Sequence, residues 1–105
     1  MSIRLFAGVT CLGTLKYVDS DHPREYYSFQ PSTEYEDYRD VLDLKGKTVA
    51  SSAMRREVEK LDLRVDWGNG DITRYRFVFI DDRRVTLRAG FARELRKGGR
   101  TNEAV

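Results

Sequence analysis

One histidine and one cysteine are all that 105 residues offer to a soft metal, too few for a zinc site unless several carboxylates join them. Asp19, Asp21 and His22 lie close in sequence, but Pro23 follows and no further ligands accompany them. The run Asp66 to Asp71 (DWGNGD) lacks the regular oxygen ligands and closing glutamate of a calcium loop, and a hairpin turn accounts for it. No metal and no cofactor is expected. The lone Cys11 has no partner for an internal disulfide, which favours a reducing compartment. Cys11 and His22 are also the only pair on which nucleophilic catalysis could rest, and Cys11, beside an alternating strand, reads as core. No GxxxxGK[ST] phosphate loop occurs, and no carboxylate pair stands out for glycoside chemistry. No catalytic residue is assigned.

Long apolar runs are missing as well. Nothing approaches the length of a membrane-spanning helix, and the first residues lack the apolar stretch of a secretory signal. The expectation is a cytoplasmic protein without a membrane partner. Internal repeats and low-complexity linkers are absent. Residues 1–97 are therefore expected to form a single α+β domain, with 98–105 as a disordered tail that has little to bury.

What is present is charge, unevenly placed. Charged residues make up 34% of the chain and hydrophobic ones 40%, enough apolar material for a core. Residues 32–46 carry a net charge of −3 and residues 47–100 a net charge of +6. Fourteen of the nineteen basic residues are arginine, whose planar fork suits phosphate or carboxylate and stacks on flat groups.

The stretch Leu61 to Gly90 organises the rest. Alternation predicts strands at Leu63–Trp67, Ile72–Ile80 and Val85–Ala89, joined as a three-strand antiparallel meander. Asn69-Gly70 predicts a type I′ turn between the first two, and Asp81 to Arg84 turns the chain again. Leu63, Val65 and Trp67, then Thr73, Tyr75, Phe77 and Phe79, then Val85, Leu87 and Ala89 take the core side. Arg64, Arg74, Arg76 and Arg88 take the outer side, with Arg83 and Arg84 at the turn.

Three strands are expected before it. Ser2–Val9 alternates, with Ile3, Leu5, Ala7 and Val9 on one side. Cys11 to Gly13 reads as a turn or bulge, Leu15–Val18 as a short strand, Asp19 to Arg24 as a polar loop and Glu25–Gln30 as a third strand. Two central helices follow. Thr33 and Glu36 form a capping box for a helix ending near Leu44, closed by Lys45-Gly46. Ala50, Met54, Val58 and Leu61 form the apolar stripe of a helix over Thr48–Leu61, with Ser51 or Ser52 as cap of a shorter version. Phe91 to Lys97, followed by two glycines, reads as a short C-terminal helix. The fold class is α+β with a mainly antiparallel sheet.

The leading functional reading is a small protein-interaction module. It would use the acidic, tyrosine-rich segment (Glu34, Tyr35, Glu36, Tyr38, Asp40), the arginine face (Arg64, Arg74, Arg76, Arg83, Arg84, Arg88), or both. Tyrosine and arginine dominate interface hot spots, and the partner would be another protein or a second copy of the chain. The alternative is nucleic-acid binding on the arginine face. Against it stands the expected burial of Tyr75, Phe77 and Phe79, which leaves no exposed ring for stacking. A histidine-independent ribonuclease built from Tyr75, Arg74, Arg76, Arg88 and Glu94 is the third reading.

Overall fold

The computed structural model describes residues 2–47 and 49–96. The expected tail at 98–105, the helix start at Thr48 and the helix end at Lys97 lie outside these residues.

The fold is α+β. Eight strands run β1 (Ile3–Ala7), β2 (Thr10–Asp21), β3 (Arg24–Pro31), β4 (Leu63–Asp66), β5 (Ile72–Tyr75), β6 (Phe79–Asp81), β7 (Arg84–Arg88) and β8 (Ala92–Arg96). They form one sheet in the order β6-β7-β3-β2-β1-β4-β5-β8, with every pairing antiparallel. The sheet curls. Tyr27 on β3 and Trp67 after β4 are separated by two strands in the sheet, yet their rings lie 6.2 Å apart. Inward residues of the strands, Leu5, Leu15, Tyr27, Phe29, Val65, Tyr75, Ile80 and Leu87 among them, make one core with Tyr35, Leu42 and Val58 of the helical segments.

The N-terminal strands follow the alternation. Val9 is the exception: it stands in the Gly8-Val9 turn of the β1–β2 hairpin, 94% exposed. The bulge expected near Cys11–Gly13 is present as a register shift that leaves Leu12 extra between Cys11 and Gly13. Past it, β2 continues to Asp21 through a second register shift that leaves Val18 extra between Tyr17 and Asp19, and only His22 and Pro23 separate it from β3.

The meander is corrected. Its first two strands pair as expected, Leu63 opposite Tyr75 and Asp66 opposite Ile72. The turn between them is longer than a type I′ pair: Trp67 N–H donates to the Asp71 carbonyl at 3.0 Å, leaving Gly68, Asn69 and Gly70 between. The positive φ angles fall on Gly68 and Gly70, not Asn69, whose side chain accepts from Asp71 N–H at 3.0 Å. The expected strand Ile72–Ile80 breaks at Arg76–Val78. Phe77 and Val78 are both buried, and neighbours on a regular strand cannot both face one core. The break resets the alternation, so Ile80 points inward and Phe79 is only half-buried. It also sends β6 and β7 to the far end of the sheet, where β7 pairs with β3.

The edge of β5 left open by that departure takes β8. Ala92–Arg96 is therefore a strand, not the expected helix. A helix of so few residues is marginal, whereas the strand satisfies the β5 ladder. Phe91, expected to pair with Leu95 on a helix, packs its ring against Phe77 and Phe79 at 6.0 and 5.5 Å. The opposite edge, β6, is covered: Leu44 N–H donates to the Ile80 carbonyl at 2.8 Å.

The first helix is also shorter than expected. Thr33–Asp37 is a 3-10 turn and α1 is only Arg39–Leu42. The cap position is Ser32, whose hydroxyl donates instead to the Cys11 carbonyl at 2.7 Å, so no capping box forms. The second helix, α2 (Ser52–Glu59), is capped by Ser51, which accepts from Met54 N–H at 3.1 Å. Val58 of its stripe is fully buried, and Ala50, Met54 and Leu61 pack against the core.

Candidate functional site

The arginines assigned to one face separate into two groups. Arg64 and Arg74 stand directly opposite each other on β4 and β5. Between them lies Asp62, in the left-handed region at φ 56°. Arg64 Nη2 is 2.6 Å from one carboxylate oxygen of Asp62 and Arg74 Nη2 is 2.8 Å from the other. These hydrogen bonds, Arg64 first and Arg74 second, hold the Asp62 carboxyl below the usual carboxylate range. Nearby, Arg4 lies 3.6 Å from Asp66 and over the Phe6 ring. The charge on this half of the sheet is largely answered within the protein. Arg76, exposed in the break after β5, belongs to neither group.

The second group faces outward from the other half. Arg84, Thr86 and Arg88 alternate with the buried Val85 and Leu87 along β7. Register sets Arg88 opposite Arg24, Thr86 opposite Tyr26 and Arg84 opposite Ser28 on β3. On the far side of β7, Phe79 faces Thr86. Arg24, Arg84, Arg88 and Lys47 thus surround the half-buried Tyr26 and Phe79 rings in a groove of about 360 Å³. The carboxylate in its lining, Asp81, accepts from Gly46 N–H at 3.1 Å. Among the described residues no carboxylate comes within ion-pair distance of these four cations. Arg83 extends the basic band toward β2: its side chain lines a shallow site with Lys16, Ser28 and Gln30.

The acidic segment does not form a matching patch. Tyr35 is fully buried, edge-on to Phe29 at 5.1 Å, with Arg39 over its ring at 5.2 Å. Its hydroxyl has no hydrogen-bond partner among the described residues, and burial raises its pKa well above the usual phenol range. Glu36 is 2.7 Å from Arg39, Asp40 is 3.6 Å from Lys45, and Glu34 accepts from Thr33 Oγ1 at 3.2 Å. Tyr38 packs partly against the core.

The catalytic alternatives find no geometry. Cys11 is the second residue of the twelve-residue β2 and His22 follows its last, a rise on the order of 30 Å. Tyr75 points into the core while Arg74 points out, so the ribonuclease set does not converge. Among the described residues no three His, Cys, Asp or Glu side chains are grouped to hold a metal ion, and no helix is long and apolar enough to cross a membrane.

Arg24, Tyr26, Lys47 and Phe79 were not among the residues expected from sequence. Alternation in Arg24–Phe29 signals the first two, since Tyr27 and Phe29 are the buried partners. Phe79 gives no such signal, because its side of the sheet depends on the break at Arg76–Val78. Comparison with protein-family models, curated proteins and solved structures finds no match to this chain.

Proposed function

We propose that this protein is a binding domain for single-stranded nucleic acid, using the outer face of β3, β7 and β6. The carrying observation is the groove in which Arg24, Arg84, Arg88 and Lys47, without internal counter-ions among the described residues, surround Tyr26 and Phe79. Arginine and lysine neutralise phosphates and release counter-ions. Flat rings between them stack on bases, which a single strand exposes and a duplex hides. A protein-interaction role through the acidic segment has less support, because Tyr35 is inside and the neighbouring carboxylates already have basic or hydroxyl partners.

The test is fluorescence anisotropy with a labelled mixed-sequence single-stranded RNA and its duplex. Four phosphate contacts predict that affinity for the single strand falls on the order of 10- to 100-fold between about 50 and 200 mM salt. Equal affinity for duplex, or no binding at the lower salt, overturns the proposal. Material absorbing at 260 nm that copurifies with the protein is a simpler supporting sign.

A further inference from the structure

We infer that the cavity at the open end of the curled sheet holds one unstacked nucleobase bearing an exocyclic amino group, with Glu25 as its acceptor. This rests on the single-strand reading above and adds to it a base preference.

The cavity, of about 350 Å³, is walled by Thr73, Tyr75, Leu87 and Ala92, with Arg24 and Glu25 at its rim. That is within the usual range of small-ligand sites. Arg24 also lines the basic groove, so the two spaces adjoin. The strand explains the join. Arg24 and Glu25 are consecutive on β3 and face opposite sides of the sheet. One therefore offers a cation to the outer groove, and the other a carboxylate to the mouth.

A carboxylate in the mouth repels phosphate and accepts from N–H donors. Tyr27 Oη donates to one Glu25 oxygen at 3.0 Å, leaving the second oxygen for a ligand. The Tyr75 hydroxyl, on a residue only 7% exposed, has no hydrogen-bond partner among the described residues. Burial, reinforced by the Glu25 charge, pushes its pKa up to about 12, so it stays protonated and can donate. An acceptor and a donor lining one cavity complement cytosine, whose amino group adjoins a ring nitrogen. Uracil presents a carbonyl where cytosine presents the amino group, and Glu25 disfavours it. Carboxylate recognition of the cytosine amino group is an established pairing in base readout.

Trp67 supplies the reporter. Its indole N–H donates to Thr73 Oγ1 at 2.9 Å, and Thr73 lines the cavity. It is the only tryptophan in the chain.

The experiment compares oligocytidylate and oligouridylate of equal length by anisotropy, and cytidine and uridine by the indole N–H resonance of Trp67. Expected is a preference for cytosine of roughly tenfold, with cytidine moving the indole signal and uridine leaving it in place. Glu25→Gln, which still accepts from Tyr27, should bring the preference close to one while leaving the salt dependence intact. If that variant fails to fold, Tyr75→Phe is read the same way. Equal binding of both oligomers overturns the base site and leaves the groove standing. A preference that survives in folded Glu25→Gln also overturns it. Failure of both oligomers to bind removes the groove, and this inference with it.

Discussion

Arg64 and Arg74 face each other across the β4–β5 pair and share one counter-ion, Asp62. Like charges directly opposite on a sheet are destabilising. The carboxylate turns that repulsion into a clamp across two strands, and each arginine spans it with both Nε and Nη2. Two of the arginines that the sequence sets on one outer face are thus already engaged.

Asp62→Asn tests the clamp cleanly. Asparagine accepts the left-handed backbone that Asp62 occupies, so the variant removes charge without adding strain. A loss of about 1 kcal/mol at neutral pH is expected, since the group is partly exposed and solvent screens it. The Asp62 pKa is lowered on folding, chiefly by the Arg64 hydrogen bond. Its stabilisation is therefore complete above the unfolded-state carboxylate range, near pH 4, and fades as pH falls through the lower folded value. Urea melts of the two proteins should differ at pH 7 and converge in acid. A constant difference across that range would show that the charge is not what matters.

Gly13 is predicted to be irreplaceable. Its φ is +154°, and a Cβ there would run into the Gln30 carbonyl oxygen and come within 2.9 Å of Pro31 Cα on the adjacent strand. Both are backbone atoms of the β2–β3 ladder and cannot rotate away. Gly13→Ala should cost about 2–3 kcal/mol, as for overpacked cores, read as a lower urea midpoint with unchanged slope. Gly8→Ala meets no atom within 4 Å and carries only the left-handed backbone penalty at φ +61°.

The fold class was legible because it rests on alternation within short windows. Leu63 and Val65, Thr73 and Tyr75, Val85 and Leu87 all face the side their spacing indicates. The sheet order was not, because it depends on where a run of apolar residues stops being a strand. Tyr75 to Ile80 reads continuously, yet Phe77 and Val78 both enter the core. That local preference for burial over laddering displaced β7 to β3 and drew β8 onto β5. The site changed with it. Arg84 and Arg88 remained outward, but their neighbours became Arg24, Tyr26 and Phe79, residues distant in sequence and joined only by that register. The acidic segment misled for a related reason: composition offered Tyr35 as a surface residue among carboxylates, and the tight 3-10 turn carries it inside.

Tyr35→Phe is expected to stabilise the protein. The hydroxyl is buried without a partner among the described residues, and such a group keeps its desolvation penalty without a bond to offset it. Phenylalanine retains the edge-on packing on Phe29 and the position of Arg39 over the ring. A gain of about 1 kcal/mol in chemical denaturation is the expected result. A clear loss would mean that the hydroxyl has a polar partner in solution.

The two arginine groups give opposite predictions for nucleic-acid binding. Arg24 and Arg84 have no counter-ion among the described residues and line the groove. Each alanine variant should therefore weaken single-strand binding and reduce the salt slope by about 0.7 for every phosphate left without its cation. Arg88 is a poorer probe, because it also lies over the Phe91 ring at 5.9 Å. Arg64→Gln should leave affinity and salt slope unchanged, because its charge is engaged by Asp62, and should lower stability instead. Measuring both properties on the same three proteins separates a binding surface from a structural clamp. If Arg64→Gln weakens binding as much as Arg24→Ala does, the bound strand crosses the whole outer sheet and the groove is not its site.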